Sequence, residues 1–150
     1  MKLVVVKDYE GLSRKAARFV AHELIAKPNL VLALPTGDTP KGMYNFLIRL
    51  YQEGLLDFSQ AITFNLDEYL GLPPDHPQSF RSYMHEHLWN HVNLKRENTH
   101  IPNSLAHDLE AECRRYEEMI EKAGGIDLAV LGLGENGHIA FNEPGTPFES

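Results

Sequence analysis

Ile126-Asp127-Leu128-Ala129-Val130-Leu131-Gly132-Leu133-Gly134-Glu135-Asn136-Gly137-His138-Ile139-Ala140-Phe141-Asn142-Glu143-Pro144 reads as an apolar strand (residues 126–131) that runs into three glycines, then a histidine, then a carboxylate. Glycines after a buried strand let the backbone turn sharply and approach a ligand closely. In an open α/β sheet, ligands gather at the carboxyl ends of the strands. A titratable pair at such a place, here His138 and Glu143, is a candidate acid–base site.

Working outward, strands and helices alternate along the chain. Residues 3–6 are a short β-branched run, and residues 9–26 carry apolar side chains at helical spacing. In that helix Leu12, Ala16, Phe19, Val20 and Leu24 fall on one face, and Pro28 stops it. Residues 30–34 form a continuous apolar strand, as expected where helices cover both faces of a sheet. A turn at 35–40 leads into a helix over 41–53, and residues 62–67 form a third strand. Three prolines within 71–77 make that stretch a loop. Helices follow over 79–91 and 108–123, with a short strand at 99–101 between them and Gly124-Gly125 closing the last helix. Phe80, Tyr83 and Trp89 read as core residues covering the sheet. This β-α-β-α-β succession predicts an α/β fold: a Rossmann-like, three-layer α/β/α arrangement with a mostly parallel sheet. Residues 1–150 are expected to be a single domain that is incomplete at its C-terminus, because residues 144–150 stop in a loop with no closing helix.

The bulk properties exclude several classes. A chain of 150 residues, 43% hydrophobic and 23% charged, is ordinary for a folded soluble domain. The net charge of −7 argues against general binding to nucleic acid or anionic membranes. No apolar run is long enough to cross a bilayer, and no secretory signal is apparent at the N-terminus. The single Cys113 excludes an internal disulfide and fits a reducing cytoplasm.

Three places carry chemistry. Gly37-Asp38-Thr39-Pro40 joins a buried strand to a helix, where backbone N–H groups and the helix dipole suit a phosphate. The alternative is a plain turn with Asp38 or Thr39 as the helix cap. Asn65-Leu66-Asp67-Glu68-Tyr69 places two acids at a strand end, and strand alternation sends Asp67 and Glu68 to different sides. At the third, His138 shuttles a proton, Glu143 orients it, and Asn136 hydrogen-bonds without ionising. The pattern G-x-G-x-x-G is matched by Gly132, Gly134 and Gly137, but it comes too late for a first βα turn and lacks the distal acid of a dinucleotide site. His85, His87 and His91 lack the H-E-x-x-H pattern and read as helix histidines, so no metal is expected.

Taken together, residues 34–40, residues 65–69 with 76–80 downstream, and residues 134–144 resemble the glucosamine-6-phosphate deaminase family. The resemblance implies conversion of D-glucosamine 6-phosphate and water into D-fructose 6-phosphate and ammonium, in N-acetylglucosamine catabolism, without metal or organic cofactor. It implies that His138, helped by Asn136 and Glu143, opens the pyranose ring, and that Asp67 moves the proton from C2 to C1. It also implies that Gly37, Asp38, Thr39, Glu68 and Gly137 hold the substrate. Many relatives carry Asp at position 136, and Gly or Ser at position 38. They also continue well beyond residue 150, where an Arg and a Lys reach the phosphate, so weak or no activity is expected of residues 1–150 alone. The family includes single chains and larger assemblies, which admits a homo-oligomer. Two rivals are a 6-phosphogluconolactonase-like hydrolase, which usually has Arg where Tyr69 stands, and a sugar-phosphate-sensing regulatory module.

Overall fold

The Asp8 carboxylate accepts the Gly11 N–H at 2.8 Å and so starts α1 (Tyr9–Ala26) in the computed structural model, which describes residues 1–147. The chain continues through β1 (Val31–Leu34), α2 (Lys41–Gln52), β2 (Ile62–Asn65), α3 (Phe80–His87), β3 (Thr99–His100), α4 (Leu109–Lys122) and β4 (Leu128–Ala129). Ser79 caps α3 through the Ser82 N–H at 3.0 Å, and Asp108 caps α4 through the Ala111 N–H at 2.9 Å.

All sheet pairings are parallel, and the strand order is β3-β2-β1-β4. Leu32 and Leu34 pack with α1, α2 and α3 on one face. Val31 and Phe64 pack with Tyr116 of α4 on the other. Alternation along β1 therefore builds three layers, as the continuous apolar run implied. The chain steps from β1 outward to β2 and β3, then returns to lay β4 on the opposite edge of β1. That reversal opens a crevice at the carboxyl ends of β1 and β4, the place where open α/β sheets bind ligands.

Several expectations need correction. Residues 1–6 form no strand; Leu3 and Val5 are 82% and 84% exposed. Their β-branched composition finds no neighbouring ladder, and β propensity is decided by pairing and burial. The buried face of α1 is Ser13, Ala17, Val20, Ala21 and Leu24, whereas Leu12 and Phe19 are exposed. The cause is the crossing with α2: a Cβ on Gly42 would overlap the Ser13 side chain, so small residues line the contact. The helix expected over 79–91 breaks at Leu88 (φ −147°) and finishes as a 3-10 turn, Trp89–His91. β2 ends at Asn65 rather than 67, and β4 is shorter than the 126–131 run; among the described residues it pairs with β1 alone.

Candidate active site

Pro35 to Pro40 follow β1, Leu66 and Asp67 follow β2, and Leu131 to Phe141 follow β4; these three segments wall one cavity of about 370 Å³. Gly37, Asp38, Thr39, Asp67 and His138 all line it. Asn136 and Glu143 stand behind His138, and Gly137 forms the turn before it. Glu68 faces away, on the side opposite Asp67, which keeps the predicted divergence of the two acids although both lie beyond the strand end.

The turn after β1 is held from behind by three hydroxyls. Tyr44 donates to the Pro35 carbonyl at 2.5 Å, and Tyr83 of α3 donates to the Gly37 carbonyl at 2.6 Å. Tyr9 of α1 shares its proton between the Asp38 and Thr39 carbonyls, at 3.2 and 3.0 Å, and accepts the Gly42 N–H at 3.0 Å. With these carbonyls occupied and Gly37 at φ 97°, the N–H groups of Gly37, Asp38 and Thr39 donate to no protein acceptor among the described residues. Successive unpaired N–H groups at a helix start make an anion-binding concavity. The plain-cap alternative does not describe this turn: Pro40 occupies the cap position of α2, with no side-chain cap bond. The Asp38 carboxylate is almost fully exposed and pairs with Lys41 at 2.7 Å, which holds it below its ordinary value.

His138 is oriented by a relay with one permitted direction. Its own backbone N–H donates to Asn136 Oδ1 at 3.1 Å, and Asn136 Nδ2 donates to Glu143 Oε2 at 2.7 Å. A backbone N–H only donates and a carboxylate only accepts, so the amide cannot be flipped. His138 Nδ1, 2.8 Å from the same Oδ1, must therefore carry a proton. In the neutral ring the lone pair falls on Nε2. Close approach is built in as well, since a Cβ on Gly134 would collide with the His138 imidazole. Ala140, at the tip of the Ile139–Asn142 turn and on the cavity wall, is held at φ 52°.

Asp67 is half-buried; burial first, then the neighbouring Glu68 charge, raises its carboxyl above the ordinary value. That makes it a stronger base than a free aspartate. Glu68 is 9% exposed and accepts the N–H groups of Tyr69, Phe80 and Arg81 at 2.9, 2.8 and 3.0 Å. It ties the segment bearing Asp67 to the start of α3.

Sequence reasoning missed an aromatic wall. Tyr69, Phe80 and Phe141 pack against one another with ring centroids 4.6, 5.6 and 6.0 Å apart, and all three line the cavity. It also missed Tyr9, Tyr44 and Tyr83 as clamps. The available signal was chemical: a tyrosine on an inward helix face needs a partner for its hydroxyl. Of the three residues read as sheet cover, Trp89 is buried, and Phe80 and Tyr83 are half-buried, packing on the same core while also reaching the site. Among the described residues no three His, Cys, Asp or Glu side chains gather as metal ligands, and no helix is long and apolar enough to cross a membrane.

The model of the family described as glucosamine-6-phosphate isomerases/6-phosphogluconolactonase matches residues 7–147. The chain belongs to that family. Within the isomerase/lactonase family, a glucosamine-6-phosphate deaminase of Thermoanaerobacter sp. (strain X514) is 58% identical over 150 residues, all of this chain and 59% of the relative. The solved structure of a monomeric glucosamine-6-phosphate deaminase superposes with a TM-score of 0.97 at 49% identity, covering 100% of this chain and 62% of that one. A 6-phosphogluconolactonase from Thermotoga maritima superposes with a TM-score of 0.74 at 23% identity, covering 93% and 62%, which shows a common fold. The chain spans about three fifths of the length of the deaminases it matches.

Proposed function

We propose that the cavity binds D-glucosamine 6-phosphate and that the chain carries the acid–base groups for its isomerising deamination to D-fructose 6-phosphate and ammonium. The observation that carries the reading is that Asp67 and His138, 71 positions apart in sequence, wall the same cavity beside an unpaired N–H cradle. Similarity to named deaminases along the whole chain supports the same substrate.

Each group then has a task. The N–H groups of residues 37–39 hold the phosphate, aided by the α2 dipole. His138 Nε2 accepts the proton of the C1 hydroxyl and returns a proton to the ring oxygen, opening the pyranose. The proton on Nδ1 stays with Asn136, and Glu143 anchors that amide. Asp67 removes the proton from C2 of the open aldose, giving an enolamine, and returns it at C1. The C2 imine so formed takes up water and releases ammonia, which leaves protonated. Atoms balance: one water enters, one ammonium leaves, and no external oxidant or reductant is needed. The aromatic wall shields the sugar carbons from bulk water. A cytoplasmic setting, in the breakdown of amino sugars, fits this chemistry and the lone thiol.

The deciding assay is ammonium release from glucosamine 6-phosphate, run beside hydrolysis of 6-phosphogluconolactone on the longest native form of the protein. Ammonium without lactone hydrolysis is the expected result. Lactone turnover alone would replace this reading with that of a hydrolase.

A further inference from the structure

Behind the Glu68 carboxylate, away from the candidate active site, lies a second cavity of about 270 Å³ between the start of α3, the residues after β3, and α4. Arg81, Arg115 and His100 are among its walls. The Glu68 carboxylate is itself part of the wall and Glu112 stands nearby, and both are committed. Glu112 binds Arg115 through both oxygens at 2.6 Å and accepts the Asn103 N–H at 2.7 Å. Glu68 is occupied by its three backbone donors. Arg81 is half-buried, and its guanidinium has no carboxylate within ion-pair distance among the described residues. His100 is fixed against the Phe64 ring at 4.6 Å. Burial, then the Arg115 and Arg81 charges, hold its imidazole below the ordinary value.

We propose that this cavity is an anion site for the phosphate group of free phosphate or of a small phosphate monoester, with Arg81 as its principal ligand. A guanidinium fork matches the oxygens of a phosphate group and not a spherical anion such as chloride. Arg115 contributes charge while staying bound to Glu112, and the neutral His100 ring offers one N–H. The site is separate from the catalytic cavity and independent of the reaction assigned to it. Glu68 is nevertheless a strut common to both, because the N–H groups it holds belong to Tyr69 and Phe80 of the aromatic wall and to Arg81 itself.

NMR titration of the labelled protein at constant ionic strength tests this. Inorganic phosphate is one arm, glucose 6-phosphate the second, and chloride the control. The readouts are the His100 ring and the Arg81 Nε–H, while the amides of Gly37 and Thr39 report separately on the catalytic cradle. Saturable shifts at His100 and Arg81 are expected, with Kd raised at least about tenfold in Arg81→Gln. Arg81→Lys, which keeps the charge and loses the fork, should fall between. The tighter arm identifies free phosphate or ester as the occupant. Shifts that grow linearly as with chloride, or a midpoint unchanged in both Arg81 variants, would overturn the proposal.

Discussion

Replacing Asn136 by Leu removes the acceptor that keeps the proton on His138 Nδ1 and the amide that donates to Glu143, and leaves the 3.9 Å approach of Nδ1 to Glu143 Oε1. Turnover should fall about a hundredfold, the usual worth of a positioned proton-transfer group, with the fold intact by circular dichroism. Asn136→Asp is the informative partner. A carboxylate at that place favours the imidazolium, so the acidic limb of the kcat/KM profile should move to higher pH; an unmoved limb would remove residue 136 from the relay. Asp67→Asn should abolish exchange of the C2 proton with solvent, and measurable exchange would dismiss Asp67 as the base. The same change bears on stability, because the folded state raises this carboxyl above 3.8. Between 3.8 and the raised value the folded chain binds more protons than the unfolded one, so stability falls as pH rises through that window and stays lower above it. Asp67→Asn should therefore melt at a higher temperature than the parent at pH 7, and the gap should close below pH 3.8.

At the scale of elements, the turn after β1 depends on α1, α2 and α3 through one tyrosine each. Tyr83→Phe strands the Gly37 carbonyl, costs about 1 kcal/mol of stability, and should raise KM for a phosphorylated substrate more than it lowers kcat. Equal effects on a substrate lacking the phosphate would contradict the clamp. This clamp was hard to read from sequence, since which tyrosine reaches which carbonyl depends on helix crossings that no local pattern encodes. The helices themselves were legible, because Asp8, Ser79 and Asp108 are cap residues ahead of periodic runs. The buried face of α1 was read correctly at Val20 and Leu24 but not at Leu12 and Phe19, for the opposite reason. Large side chains such as Phe19 and Leu12 outweighed Ser13 and Ala17 in the periodicity, yet the contact with Gly42 selects small residues.

For the molecule as a whole, Phe64 is the most telling core side chain. It meets the Tyr116 ring edge-on at 5.7 Å and the His100 ring at 4.6 Å, between β2, α4 and β3. Phe64→Ala should cost about 3–5 kcal/mol in urea unfolding, and a loss below about 1 kcal/mol would mean that α4 is not held through this contact. The three-layer class was readable from the order of apolar runs and helices. The strand order was not, since nothing local says that β4 returns to the far side of β1. Residues 3–6 illustrate the same limit: the composition suits a strand, but pairing is a property of neighbours.

The Asp127 carboxylate ties β4 into register by binding the Val31 N–H at 2.9 Å and the Lys27 ammonium at 2.7 Å, groups 96 and 100 positions earlier in the chain. Closing so large a loop is slow, because its entropic cost precedes any reward. His138 should therefore join Asp67 on the cavity wall late in folding, after the helices and the β1–β2 pair have formed. In refolding, far-UV ellipticity should recover before the native NMR signal of the His138 ring does, and simultaneous recovery would show that β4 docks early.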